Sequence, residues 1–343
     1  VKTGSMELQY AENFAVDYYE DGYKMLTTLP DSKRYLIVPE GQPVPRGLDE
    51  DVSILQEPLQ NIYLVASGVM DMFASVDAVD QIRFSGQKQE NWYIQTAKDA
   101  MAAGDMIYAG KYSKPDYELL VSEGCDLAIE NRMITHSPEV VEMLQGFDIP
   151  VMIEYSSYEQ HPLGKVEWVK FFGALTGKEA EAEEAFAEQT EILEEVESGE
   201  KTGKTIAFFY VTSNGLIQVR QSTDYIPKLI ELAGGRYIFE DLEDSGSGRS
   251  TLNMQVEDFY AGAKDADILI YNSSIDGGVT TLDELIGKCN ILKDFKALQE
   301  GQVYCTTNDM YQQSMAIGYL LQDMHTVLTD DDTAKLRYLF LLQ

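Results

Sequence analysis

The 343-residue chain holds only three cysteines and three histidines. Cys125, Cys289 and Cys305 are too few and too scattered for a disulfide framework or a four-ligand zinc site, and they read as small buried hydrophobes. His136, His161 and His325 stand far apart, with no second ligand at a recognisable spacing, so no metal centre is expected. Positive charge is scarce too: 26 Lys and Arg face 58 Asp and Glu, for a net charge of −32. That balance lacks the basic footprint nucleic-acid phosphates require and disfavours anionic membrane surfaces. Otherwise the acidity mainly confers solubility. No apolar run approaches the length of a membrane span. No signal peptide is visible in Val1-Lys2-Thr3-Gly4-Ser5, which fits a trimmed mature chain or a cytosolic protein.

Catalytic motifs are missing as well. Gly199-Glu200-Lys201-Thr202-Gly203-Lys204-Thr205 has three residues between its glycines where a phosphate cradle needs four, and it precedes a strand instead of following one. Gly246-Ser247-Gly248 is a glycine pair without dinucleotide context and reads as loop. Neither Gly-x-Ser-x-Gly nor His-Glu-x-x-His occurs.

What the chain does have is a phrase used twice. Residues 116–131 and 257–272 each run from a short helical stretch with an early glutamate, Glu118 or Glu257, through an aspartate into an aliphatic strand. The strands end at Asn131 and Asn272. Ligands in open α/β sheets sit just beyond the carboxyl ends of strands, so the repeat predicts two lobes whose strand ends face one another. Hydrophobic residues at 44% and aromatics at 10% suffice for packed cores, and the length exceeds what one core usually supports.

Around the phrase, Phe14–Tyr18 and Tyr23–Thr27 alternate about a Glu20-Asp21-Gly22 turn, which predicts an N-terminal hairpin. Short strands at 34–38 and 52–55 follow, separated by a Pro/Gly-rich loop. From Ile62 strands alternate with helices (strands at 62–66, 81–84, 126–131 and 150–154), which predicts a mostly parallel sheet. A helix is predicted from Pro162 to Leu175, and another from Lys178 to Ser198, whose Glu-rich outer face reads as solvated. After Gly203 the alternation restarts, with strands at 206–211, 267–272 and 302–305, a Ser/Gly loop at 245–250 and a C-terminal helix over 314–328.

Taken in order, Pro58-Leu59-Gln60-Asn61-Ile62, Lys114-Pro115-Asp116-Tyr117-Glu118 with Asp126-Leu127-Ala128-Ile129, Ile149-Pro150-Val151, Leu232-Ala233-Gly234-Gly235 and Val256-Glu257 with Ala266-Asp267-Ile268 resemble the class III solute-binding proteins of ABC importers. That group captures ferric siderophores, haem and cobalamin. The resemblance implies an α/β fold of two Rossmann-like lobes with mostly parallel sheets, joined by a single long α-helix, with a ligand cleft between the lobes. On this chain the lobes would span 1–160 (with the hairpin extension) and 178–343, with the connecting helix at 161–177.

The resemblance also implies roles. Glu118 and Glu257 would dock onto arginines of the membrane permease; read alone, they are ordinary acids at helix N-termini. Ligand contacts would come from Ser67, Ser85, Trp92, Asn131, Arg132, Tyr155 and Tyr158 in the first lobe, and from Thr212, Asn214, Arg220, Asn272, Ser273, Asn308 and Tyr311 in the second. Arg supplies charge and planar hydrogen bonding to an anionic chelate, and Tyr and Trp supply flat apolar surface. Arg132 and Arg220 equally fit pairing with a neighbouring carboxylate. The expected protein is a monomeric, extracellular, lipid-anchored binder, with its lipobox upstream of Val1. It is not an enzyme and holds no cofactor of its own; its partners are an ABC importer permease and a small-molecule metal chelate, not nucleic acid. Haem or a corrinoid is the alternative cargo. A two-lobed metal-cofactor enzyme of nitrogenase-component type is the alternative of another class, kept open by Cys305 at a strand end.

Overall fold

The structure, a computed structural model, describes residues 1–243, 250–273, 278–331 and 333–343. The Ser/Gly loop expected at 245–250 lies outside them except for Ser250. The chain forms two compact units, one of Val1–Glu159, Leu163–Ala187 and Gln312–Met315, the other of Gln160–Pro162, Glu188–Tyr311 and Ala316–Gln343.

The first unit opens with a five-stranded sheet in chain order: β1 (Lys2–Ser5), β2 (Phe14–Tyr19), β3 (Lys24–Thr28), β4 (Lys33–Val38) and β5 (Val52–Gln56). The β2–β3 hairpin forms where expected. Asp21 and Gly22 take left-handed backbone at φ 60° and 84°, a conformation that short polar residues and glycine tolerate. A second sheet holds β6 (Ile62–Leu64), β7 (Ile82–Ser85), β8 (Ile107–Tyr108), β11 (Leu127–Glu130) and β12 (Val151–Ile153), in the order β12-β11-β6-β7-β8. Every pairing in it is parallel. A ribbon of β9 (Gly110–Lys111) and β10 (Lys114–Pro115) precedes β11. The crossovers carry α1 (Met70–Ser75), α2 (Gln95–Ala103), α3 (Tyr117–Ser122) and α4 (Pro138–Gly146).

Helix α5 (Pro162–Thr176) joins this first unit. The segment 161–177, expected as the connector, is therefore reassigned apart from its first residues, and α6 (Glu179–Glu197) runs from the first unit into the second. The cause is chemical: every residue of α5 from Leu163 to Leu175 is buried, as in a helix enclosed by its core. Glu167, with no exposed surface, accepts the backbone N–H groups of Gln9, Tyr10 and Ala11 at 2.8–3.1 Å. Glu159 accepts those of Glu12 and Asn13 and the indole N–H of Trp168. The Phe14 ring lies 4.9 Å from Trp168 and 5.3 Å from Phe171. At Gly164 a Cβ would approach the Tyr10 carbonyl oxygen to 3.0 Å, so the close fit needs glycine there.

The second unit is built on one sheet in the order β16-β14-β13-β17-β18-β19, with β15 also on β13. Its strands are β13 (Thr205–Val211), β14 (Ile217–Arg220), β15 (Arg236–Tyr237), β16 (Thr251–Met254), β17 (Ile268–Tyr271), β18 (Val303–Thr306) and β19 (Leu339–Leu341). The strands β13, β15, β17 and β18 are parallel, as the alternation implies. The edges differ from that expectation: β14, β16 and β19 pair antiparallel. The Thr212–Leu216 turn, with Gly215 at φ 81°, folds β14 straight back on β13 without a crossover. The unit's helices are α7 (Tyr225–Leu232), α8 (Val256–Ala263), α9 (Leu282–Lys288), α10 (Lys296–Gln299) and α11 (Ile317–Thr329).

Candidate ligand-binding site

Strand order locates the candidate loops. In the first unit the chain goes from β6 out to β7 and β8, then returns to place β11 on the other side of β6. In the second it goes from β13 to β15 and returns to β17. Such reversals open a crevice beyond the carboxyl ends of the two strands that flank them. Those ends are Ser67 and Asn131 in the first unit, Thr212 and Asn272 in the second. Each reversal is held by the aspartate of the repeated phrase. Asp126 Oδ2 accepts the N–H groups of Gln60 and Asn61, both at 3.0 Å, before β6. Asp267 Oδ2 accepts the N–H of Thr205 at 2.7 Å where β13 starts.

In the first unit the half-buried Ser67 opens a short 3₁₀ turn, Ser67–Val69. Asn131 caps the next one, Arg132–His136, by accepting Met133 N–H at 2.8 Å. The Arg132 guanidinium lies 4.4 Å from the centroid of the Tyr158 ring, itself 40% exposed and 6.4 Å from Tyr155. Arg132 has no carboxylate partner among the described residues. Tyr155 is nearly buried, so Arg132 and Tyr158 carry the open surface. Trp92 departs from expectation. It is 0% exposed, and its indole N–H is held by Ser85 Oγ at 3.0 Å, so neither residue has surface left for a ligand.

In the second unit Asn214 is exposed in the β13–β14 turn and accepts Thr212 Oγ1–H at 2.5 Å. Arg220 ends β14, with Asp224 Oδ2 3.3 Å away, so here the carboxylate-pairing reading is the one observed. Asp224 also caps α7 by accepting Ile226 N–H at 3.0 Å. Arg220 Nη2 donates to the Tyr311 hydroxyl, which Asn272 Nδ2 also reaches at 2.7 Å. Burial pushes the Tyr311 phenol up to about 12. Ser273 is buried and bonds Thr306 and Asn308.

Sequence reasoning missed two groups. Glu130 ends β11 with 0% exposure and no hydrogen-bond partner for either oxygen among the described residues, and burial pushes it up to about 8. Its signal is a lone acid closing the aliphatic run Leu127-Ala128-Ile129. Asp224 was signalled by its place four residues after Arg220, just before an apolar helix. All three cysteines are buried, Cys305 at the end of β18 included. No group of three or more His, Cys, Asp or Glu converges to hold a metal among the described residues.

Glu118 and Glu257 are each the second residue of their helix, α3 and α8, and both are exposed. Neither makes an ion pair or a side-chain hydrogen bond among the described residues. Val121 is exposed one turn beyond Glu118.

No protein-family model matches the chain. Two uncharacterized lipoproteins of Methanocaldococcus jannaschii are each 24% identical to it, over 94% of this chain and 81% of the relative in one case, 90% and 79% in the other. Among solved structures, an ABC transporter substrate-binding protein from Listeria monocytogenes superposes with a TM-score of 0.60 at 17% identity, covering 79% of this chain and 98% of that one. A periplasmic haem-binding protein of Vibrio cholerae gives 0.61 at 14% identity, over 78% and 98%. A periplasmic catecholate-siderophore-binding protein of the same organism gives 0.61 at 13%, over 79% and 94%. The fold is that of the class III solute-binding proteins. The residues of the repeated phrase stand at both strand-order reversals. No helix among the described residues is long and apolar enough to cross a membrane.

Proposed function

We propose that this protein is a solute-binding protein that captures an iron complex of the ferric-siderophore kind and delivers it to an ABC importer permease. Its reading as a non-enzymatic binder is supported by the class III fold and by neighbours named for substrate, haem and siderophore binding. The observation that carries the choice of cargo is Arg132. In a chain with a net charge of −32, a guanidinium over an exposed tyrosine with no carboxylate partner among the described residues is an open site for a flat anion. The iron would arrive with its chelator's own ligands, so the protein needs no resident cofactor. The proposed contacts are Ser67, Asn131, Arg132 and Tyr158 in the first unit, supported by Tyr155, and Asn214 and Tyr311 in the second, supported by Arg220 and Asn272.

Delivery would use Glu118 and Glu257, whose carboxylates are exposed and unengaged, as charge-assisted contacts to arginines of the permease. The protein would act as a monomer outside the cell, tethered by an N-terminal lipid, as the lipoprotein names of its relatives suggest. The test is the double reversal E118K/E257K. It should leave ferric-chelate binding, read by tryptophan quenching, within twofold of the unaltered protein while abolishing permease-dependent iron uptake. Unchanged uptake would overturn the docking roles. Failure of the unaltered protein to bind ferric catecholates, ferric hydroxamates or haemin would overturn the cargo.

A further inference from the structure

Tyr311 is wired so that its hydroxyl can act in one direction only. Its oxygen accepts one hydrogen bond from Arg220 Nη2 and a second from Asn272 Nδ2 at 2.7 Å. A phenolic oxygen has two acceptor positions and one hydrogen, so both acceptor positions are filled from behind. No described residue accepts the Tyr311 hydrogen. Arg220 is itself held by Asp224 at 3.3 Å, and Asp224 is pinned as the cap of α7. Tyr237 donates to the Arg220 carbonyl oxygen at 2.7 Å and fixes the strand end. The proton stays on Tyr311 at neutral pH, because burial disfavours the phenolate. The cation behind the oxygen polarises the O–H bond and strengthens it as a donor.

We infer that Tyr311 is the specificity-determining hydrogen-bond donor of the second unit, aimed at an anionic or carbonyl oxygen of the chelate, and that Arg220 and Asn272 are positioning residues acting through it. This deepens the iron-chelate reading and rests on it. It also changes the part expected of Arg220. With its guanidinium occupied by Tyr311 and Asp224, Arg220 is not a direct anion clamp, and Asn272 has almost no exposed surface with which to touch a ligand.

The probe is the ferric complex of 2,3-dihydroxybenzoate, whose oxygens are anionic, with tryptophan quenching as the readout. Y311F keeps the ring and removes only the donor, and it should weaken binding by about tenfold or more. N272D replaces an N–H donor with an acceptor and should draw the phenolic hydrogen inward, for a comparable loss. Because both act on one hydrogen, Y311F/N272D should be no weaker than Y311F alone. Binding by Y311F equal to that of the unaltered protein would overturn the inference while leaving the iron-chelate reading standing. A further loss in the double variant would overturn the wiring. If the unaltered protein binds neither this probe, nor a ferric hydroxamate, nor haemin, the cargo reading falls and the inference falls with it. Y311F retains its packing, so its result stands even if N272D folds poorly.

Discussion

Asp126 and Asp267 enter corresponding strands in the two units and do the same backbone work, yet their electrostatics run in opposite directions. Each fastens the backbone where the neighbouring parallel strand begins. The other oxygen makes the difference. Asp126 Oδ1 is buried without a hydrogen bond among the described residues, whereas Asp267 Oδ1 receives the Lys296 ammonium at 2.6 Å. Burial therefore pushes Asp126 above the usual carboxylate range; at Asp267 the same penalty is outweighed by Lys296 and Thr205, which hold it below. The far ends of the strands diverge in the same sense. Glu130 closes β11 as a buried acid with no side-chain partner among the described residues, and the corresponding residue at the end of β17 is Tyr271. The shared phrase thus sets the backbone register, and the residues packed over it set the charge. The first unit leaves its buried strand carboxyls without a cation among the described residues, and the second pairs its strand-entry aspartate with a lysine.

The two strand-end arginines offer the hardest test of that contrast. R220A removes the cation from Asp224, whose side chain is 1% exposed, and should cost about 3 kcal/mol by urea denaturation, as breaking a buried pair does. R132A removes a group with no carboxylate partner and should change stability by less than about 0.5 kcal/mol. Equal costs at the two positions would mean that the division between engaged and open arginines is wrong.

Glu130 should show the next largest effect. Its folded-state value lies near 8, above the ordinary 4.5. An acid raised in this way contributes stability that is fully present below its unfolded value and is lost as pH rises through the folded one. Unfolding free energy should therefore fall between about pH 5 and 9. E130Q should flatten that slope and be more stable above pH 8 by a few kcal/mol. A parallel pH dependence in the two proteins would show that Glu130 is not the group responsible.

Much of this contrast was legible in the sequence, and the limits are physical. The repeated strands were readable because three consecutive aliphatics after an aspartate leave little other choice, and Glu20-Asp21-Gly22 announced its hairpin. Helix α5 was found from Pro162 to the Gly177 stop, but periodicity cannot say which core a helix joins, and contacts such as Phe14–Trp168 bridge residues far apart in the chain. Trp92 was placed correctly after a strand, yet a strand-end position does not reveal that Ser85 would bury it. Arg132 and Arg220 looked alike in the sequence. Only Asp224, brought round by the start of α7, separates them.

The smallest effect is also the most direct comparison of the two phrases. In D126N and D267N an amide oxygen can still accept the backbone N–H groups, so register is preserved and only charge is removed. Burial raises Asp126, so its contribution is lost as pH rises through the folded value, and D126N should be neutral to stabilising at pH 7. Asp267 is depressed, so its contribution is present above the ordinary value of 3.8 and is lost as pH falls through the folded one. D267N should therefore destabilise at pH 7, by less than about 1 kcal/mol given the exposure of the Lys296 pair. Well below the ordinary 3.8 the penalty for D267N should shrink, as Asp267 is protonated through its lowered folded value. Urea denaturation of both variants at pH 7 and in acid decides it: opposite signs at pH 7 that converge in acid support the contrast. The same sign for both at pH 7 would mean that Lys296 does not distinguish the two strand entries.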